Sequence, residues 1–539
     1  MGARRQTHAL HSGGHPMASR SRSGSKKSAS KKVGAKRPQA KRPHVRKGAV
    51  GRATSRVARS GVAPSVVACW EDDPGDPKTQ PARIPIEVPE PSQSVTPLAF
   101  KLRGAAPAPQ VYPLGTHAFL YYAVASALRR TASFWGGMLP RGTRWQVGAV
   151  LAVNADAGVD LNAFYTRGGM EPAGLYFFHQ AVRGRVFNSG ESPDIASHEM
   201  GHAILDAIQP DLFDTQTIEA AAFHEAFGDM CAILSALQVA SFRDQVLDDT
   251  GGALNHSSRL SRLAEQLGAA IRMLRPDLAD ADCLRNASNS FFYRDPQTLP
   301  PNAPASQLSS EPHSFARVFT GGFLDALAGM FKLAGAANSA RLQRAAEDMA
   351  RILVAGIAGA PVVPDYFSRV AASMIQAGDA APFNGKYRDA LKSAFVRRGL
   401  LSLQAAASLG ALPRAPRGRV APSAARSAAA RRALPMLAIS AAHYGLAQPI
   451  LLVQSAAGGE RPSVTGAALQ LGPAEPRSAQ SAAQAYTDDL FQRGHVEVGK
   501  HARAQGGLVN PFAFKTHVVA ERGGSLVLER IAFNCGFHG

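Results

Sequence analysis

His198-Glu199-Met200-Gly201-His202 places two imidazoles four residues apart, with a carboxylate beside the first. On a helix, positions i and i+4 lie one above the other, so His198 and His202 can present two nitrogens to one metal ion. Glu199 travels beside them, where it could take a proton from a water acidified by that metal. The expected chemistry is zinc-assisted hydrolysis. The bland alternative is a metal-free helix with buried histidines, since the pentapeptide also occurs in proteins that are not enzymes.

Two histidines need a third protein ligand. The continuation that would add a third histidine fails, because Leu205 and Ile208 stand where a glycine and that histidine would be. A second stretch, His224-Glu225-Ala226-Phe227-Gly228-Asp229, puts Glu225 and Asp229 on one helical face. Glu225 is the expected ligand, and Asp229 is expected to orient a histidine from behind, which fixes the ring and raises its basicity. Glu219 competes for the ligand position but has no acidic partner four residues on. Without a metal, Glu225 and Asp229 would be an exposed acidic pair.

With these two segments in place, the chain resembles the thermolysin family of gluzincin metallopeptidases over roughly residues 110 to 335, and further segments match in the same order. Asn162-Ala163-Phe164-Tyr165 is similar to that family's edge strand, which pairs with the backbone of the bound peptide. Leu284-Arg285-Asn286 is similar to the segment whose arginine binds the substrate carbonyl. Glu311-Pro312-His313-Ser314-Phe315 is similar to the segment whose histidine stabilises the tetrahedral intermediate. The resemblance therefore implies Glu199 and His313 as catalytic, His198, His202 and Glu225 on zinc, Asp229 behind a ligand, and Asn162, Ala163 and Arg285 on substrate. Ile195 and Leu284 match residues lining the pocket after the scissile bond, implying a preference for bulky apolar side chains there. Taken singly, an Arg285 or a His313 is more often structural; the ordered set carries the resemblance.

The sequence also departs from the family. No tyrosine lies between His202 and Glu225, where the family carries one that hydrogen-bonds the oxyanion. Loss of such a donor costs on the order of 2.7 to 4 kcal/mol of transition-state stabilisation, so a slower enzyme is expected. Asp194 matches a calcium-binding aspartate, but Cys231-Ala232-Ile233-Leu234-Ser235-Ala236 replaces the carboxylate expected after Asp229, a departure from the paired calcium site. No long pro-segment precedes the matched region, which leaves open how activity is restrained.

These residues need elements to hold them. Ser192-Pro193-Asp194 supplies an N-cap, a proline at the first helical position and an early carboxylate, so the motif helix is expected to start there and end near Pro210. A second helix is expected from about Thr217 to Leu237, with others over 116–131, 258–275, 314–334, 338–358 and 366–377. The run Trp145–Val153 reads as a buried strand. The fold class expected is α+β: an α+β lobe with a mixed sheet over 110–207, ending in the zinc helix, and a mostly helical lobe over 208–404. The Ala/Arg-rich stretch 405–434 reads as a linker, and 435–539 as a small β-rich accessory domain.

Charge is distributed very unevenly. Of the formal net +20, residues 1–60 supply 17 Lys and Arg with no Asp or Glu, leaving +3 for the rest. A tail over 1–70, basic and poor in apolar residues, is expected to be disordered, and its charge suits a polyanion such as nucleic acid or an anionic surface. A proline-rich stretch over 71–109 reads as an extended linker or edge segment. No signal peptide and no run of about 18 apolar residues is seen, which predicts a cytoplasmic protein or one exported by a non-classical route. The cysteines Cys69, Cys231, Cys283 and Cys535 have no paired spacing, so neither a cysteine zinc site nor a disulfide framework is expected. The function expected is a zinc endopeptidase acting on peptides or proteins. The alternatives are an inactive zinc-bearing binding protein and a polyanion-binding protein acting through the tail.

Overall fold

The computed structural model describes residues 65–75, 79–86, 98–411, 434–456, 478–503 and 513–536. All of them belong to one compact unit, which starts at Ala63. The basic stretch 1–60 and most of the Ala/Arg-rich linker fall outside the described residues.

The first described strands, β1 (Ser65–Cys69) and β2 (Ala82–Ile86), pair antiparallel. The last few residues of the tail expected over 1–70 lie in this hairpin. Val67, Cys69 and Trp70 are buried, and Trp70 Nε1 donates to Glu191 Oε2 at 3.2 Å, so a short apolar run is structured where the surrounding composition predicts none. Pro85 is accommodated because a two-stranded sheet has only edges. Next come β3 (Phe100–Leu102) and helix α1 (His117–Gly136), whose N-cap Thr116 accepts from the Phe119 N–H. The run Trp145–Val153 is a strand only at its end. Gly148 adopts φ +121° and Val150 faces solvent, so β4 covers Leu151–Asn154. β5 (Ala163–Thr166), β6 (Gly174–Phe177) and the hairpin β7 (His179–Val182) and β8 (Arg185–Asn188) follow.

The two helices carrying the motif residues come next. α2 (Pro193–Ile208) starts as expected, with Ser192 Oγ accepting from Ile195 N at 3.3 Å. After the short α3 (Asp211–Asp214), α4 (Ile218–Ala236) is capped by Thr217 and is buried along its whole length. Two glycines let α2 and α4 cross closely. A Cβ on Gly201 would come within 3.0 Å of Gly228 Cα, and one on Gly228 within 2.5 Å of His198 Cε1.

Further along are α5 (Ala240–Thr250), β9 (Arg262–Leu263), α6 (Glu265–Leu274) and β10 (Arg285–Asn286). The helix expected over 258–275 is therefore half as long. Ala264 adopts φ 51°, and residues 262–263 pair with β10 before the helix begins. α7 (Pro312–Leu333), α8 (Ser339–Gly359) and α9 (Tyr366–Asp379) fall where periodicity places them, while α10 (Arg388–Arg397) and α11 (Leu403–Ala411) are additional, as is α5.

The last portion is a five-stranded sheet with one helix: β11 (Met436–Ser440), β12 (Ile450–Gln454), α12 (Ala479–Gln492), β13 (Val496–Glu497), β14 (His517–Arg522) and β15 (Ser525–Arg530), in the order β11-β12-β15-β14-β13. It packs into the body of the molecule: Arg530 Nε donates to Phe213 O at 3.0 Å and Gln216 N to Gln454 O at 2.9 Å. One residue beyond β15 the chain leaves this sheet. β16 (Ala532–Asn534) joins the other five-stranded sheet, β16-β5-β6-β4-β3, in which β3, β4 and β6 run parallel while β5 pairs antiparallel with both neighbours. The architecture is thus mixed α and β with several sheets.

Candidate metal centre

Each member of the cluster is held by the elements on either side. α2 is pinned to β5 through its last turn: Asp206 accepts from Tyr165 Oη at 2.6 Å and from Arg167 Nε at 2.9 Å. Near its start, Ser197 Oγ lies 2.8 Å from Thr131 Oγ1 on α1. These ties fix the rotation of α2, so His198 and His202 point toward α4.

Across the helix crossing, His198 Nε2 lies 3.3 Å from Glu225 Oε2, and His202 Nε2 lies 3.8 Å from Glu225 Oε1. A fourth side chain arrives from β16: Cys535 Sγ is 3.9 Å from His202 Nε2 and 3.8 Å from Glu225 Oε2. All four are buried, with one donor atom from each lying within 4.8 Å of the others. Four convergent donors in a dry site form a group that could hold a metal ion. His198 Nε2 and the carboxylate oxygens of Glu199 are buried and make no well-formed hydrogen bond; their neighbours are the Glu225 carboxylate and the Cys535 thiol, respectively. Orphaned polar atoms of this kind are expensive unless something else satisfies them.

The surroundings set the ring orientations and charges. His198 Nδ1 lies 3.0 Å from Asp229 Oδ1, so Nδ1–H donates there and Nε2 is left facing the cluster. Arg285 grips the same carboxylate through Nη2 at 2.8 Å and Nε at 3.3 Å. Burial alone would raise the Asp229 carboxyl, but Arg285 and His198 outweigh it and hold it at about 2. Burial lowers His202 to about 3, leaving its imidazole neutral. Burial likewise raises Glu199 to about 7, opposed by His198. His313, at the start of α7, places Nε2 3.1 Å from Glu225 Oε2 and Nδ1 2.6 Å from Glu311 Oε1. Burial pushes its ring down, and the two carboxylates more than reverse this, to about 10. A divalent cation on Glu225 would remove much of that attraction.

In front of the cluster is a cavity of about 520 Å³, whose lining includes Glu225, Arg285, His313, Tyr486, Arg530 and Cys535. A smaller recess next to His198 and Glu199 is walled by Ile195, Leu263, Leu267 and Leu284. Asp194 accepts from the Ala264 N–H at 3.1 Å and so anchors the segment that carries Leu284 and Arg285. Asn162 and Ala163 lie along β5, where the Ala163 carbonyl accepts from Cys535 N at 3.0 Å.

The structure brings His198, His202 and Glu225 together, with Glu199, Asp229, Arg285 and His313 around them, and places Asn162 and Ala163 at β5 and Ile195 and Leu284 in the smaller recess. Glu219 is elsewhere, accepting from Tyr293 Oη at 2.7 Å and from Phe367 N at 2.8 Å. Cys535 is what sequence reasoning missed. It lies 310 positions from Glu225, and no local spacing signals a role; only the strand swap of β16 brings it in. Tyr486 and Arg530 arrive from the same portion of the chain. Set against known protein families, the chain matches none, and no curated protein matches it either.

Proposed function

We propose that the protein is a zinc-dependent peptidase of thermolysin-like architecture. The observation that supports this best is the convergence of His198, His202 and Glu225 on one point, with the buried carboxylate of Glu199 beside them. Two imidazoles and a carboxylate suit zinc, and a second carboxylate that does not ligate suits a proton carrier. Bound there, zinc would supply Lewis acidity, acidifying water and polarising a carbonyl. Asp229 holds the His198 tautomer that leaves Nε2 for the metal. Glu199 takes the proton from water and passes it to the leaving nitrogen. His313 and Arg285, both on the cavity wall, face the developing oxyanion. The preference for a bulky apolar side chain after the scissile bond rests on the resemblance at Ile195 and Leu284; the recess they line holds about 20 Å³, room for one water, and would have to widen to admit such a side chain.

The test uses zinc-loaded Cys535→Ser protein, in which the fourth donor is gone, and peptides with a central Phe or Leu. Hydrolysis is expected, and Glu199→Gln in that background is expected to lower it by roughly three orders of magnitude at unchanged zinc content. No turnover, or equal turnover in both proteins, would sink this assignment. A second reading, a closed metal site without turnover, is favoured by Cys535 itself, since structural zinc sites carry four protein ligands. The stretch 1–60 is proposed independently to bind polyanions, which salt-dependent retention on DNA with and without it would show.

A further inference from the structure

β5 has two edges. One carries β6, and the other carries β16, in the register Ala532↔Thr166, Phe533↔Tyr165 and Asn534↔Phe164. The ladder runs on through Cys535 N to Ala163 O. This is strand addition, the way an extended peptide is received at a sheet edge. Alternate residues of a strand share a face, so Phe533 and Cys535 both point at the cluster. Phe533 stacks on His202 with ring centroids 4.9 Å apart and on His224 at 4.0 Å, while Cys535 Sγ reaches within 4 Å of both His202 and Glu225. Gly536 is required for the fit, since a Cβ there would lie 2.3 Å from Asn162 Oδ1. Cys535 is a free, buried thiol with no disulfide to explain its position.

We propose that β16 is an intramolecular latch, occupying the peptide-binding edge of β5 and delivering the Cys535 thiolate to the metal as its fourth ligand, so that the metal-loaded chain is latent. This rests on the metal site and the peptidase assignment above. Three protein ligands leave a zinc ion one position for water, and a thiolate in that position closes it. A tethered segment acts at an effective concentration on the order of millimolar, so a dilute peptide does not displace it by competition alone. The Cys535 thiol also lies against the Glu199 carboxylate, the proton carrier of the proposed reaction, so the same latch engages both.

Two readouts independent of turnover test the latch. Reconstituted with Co2+, the wild-type protein is expected to show a thiolate-to-cobalt charge-transfer band in the near ultraviolet, which Cys535→Ser lacks at equal metal content. Zinc-loaded Cys535→Ser and Gly536→Val are expected to bind a dipeptide hydroxamate about tenfold or more tightly than wild type, measured by calorimetry. Gly536→Val keeps the thiol and displaces the strand by its clash with Asn162, so it carries the test if Cys535→Ser does not fold. Absence of the band in wild type, or equal hydroxamate affinity in all the folded proteins, would overturn the latch. An inactive Cys535→Ser that nevertheless gains hydroxamate affinity would count against the peptidase assignment and leave the latch standing.

Discussion

His198 and Asp229 meet across the crossing of α2 and α4, Nδ1 3.0 Å from Oδ1, and Arg285 donates to both oxygens of the same carboxylate. The contact decides which histidine nitrogen faces the candidate metal position. Asp229→Asn keeps the shape but removes the charge that favours the Nδ1–H tautomer. Zinc affinity is expected to fall about 10- to 100-fold. A competition titration against a zinc chelator measures it, and unchanged affinity would remove Asp229 from this role.

Glu225 and Glu219 lie on one helix and are both buried, yet only Glu225 faces the cluster. Glu225→Gln is expected to lose most bound zinc. Glu219→Gln should retain it, and should lower the melting temperature instead, because an amide weakens the acceptance from Phe367 N and Tyr293 Oη. Metal analysis of the two purified variants distinguishes them, and equal zinc in both would refute the ligand assignment.

Gly228 has the His198 ring against its Cα, where a methyl group would sit 2.5 Å from Cε1. Gly228→Ala must push the ring away or spread the helices. A stability loss of roughly 1–3 kcal/mol is expected from overpacking, together with reduced zinc affinity. Denaturant unfolding with and without chelator reads both effects, and wild-type behaviour in both would show that the helices relax freely.

Glu311 and His313 form a pair whose strength depends on pH. Burial raises the Glu311 carboxyl, but His313 first, with Arg493 and the Ser314 N–H, outweighs it and holds it at about 2, below its ordinary 4.5. Its contribution to stability is therefore present above pH 4.5 and lost as pH falls through about 2. His313 is raised from 6.5 to about 10, so its contribution is complete below pH 6.5 and lost as pH rises through about 10. In metal-free protein, the melting difference between wild type and Glu311→Gln should be greatest between pH 4.5 and 6.5. It should be roughly 2 °C there and close up in acid. Calorimetric melts across that range check it; a difference that grows below pH 4 would have the wrong sign.

The helices holding the motif were legible because their signals are local. Ser192 and Pro193 mark the start of α2, and Thr217 marks that of α4, with no help from distant contacts. The strand expected from Trp145 and the helix expected from residue 258 were overextended for one reason. A single backbone setting, φ +121° at Gly148 and φ 51° at Ala264, breaks each element without changing the apolar pattern that predicts it. Cys535 was illegible for a different reason. β16 is three residues long and has no periodicity to read, and its partner β5 lies more than 360 positions earlier.

That separation bears on how the protein is made. A ribosome completes β5 long before it reaches residue 532, so throughout that interval the outer row of N–H and C=O groups on β5 has no native neighbour. At about 5–20 residues per second the exposure lasts tens of seconds. An open sheet edge is a template for any extended chain. The nascent protein therefore passes through a stage in which this edge can pair with any extended chain it meets and is an aggregation hazard, and the closing strand ends that stage.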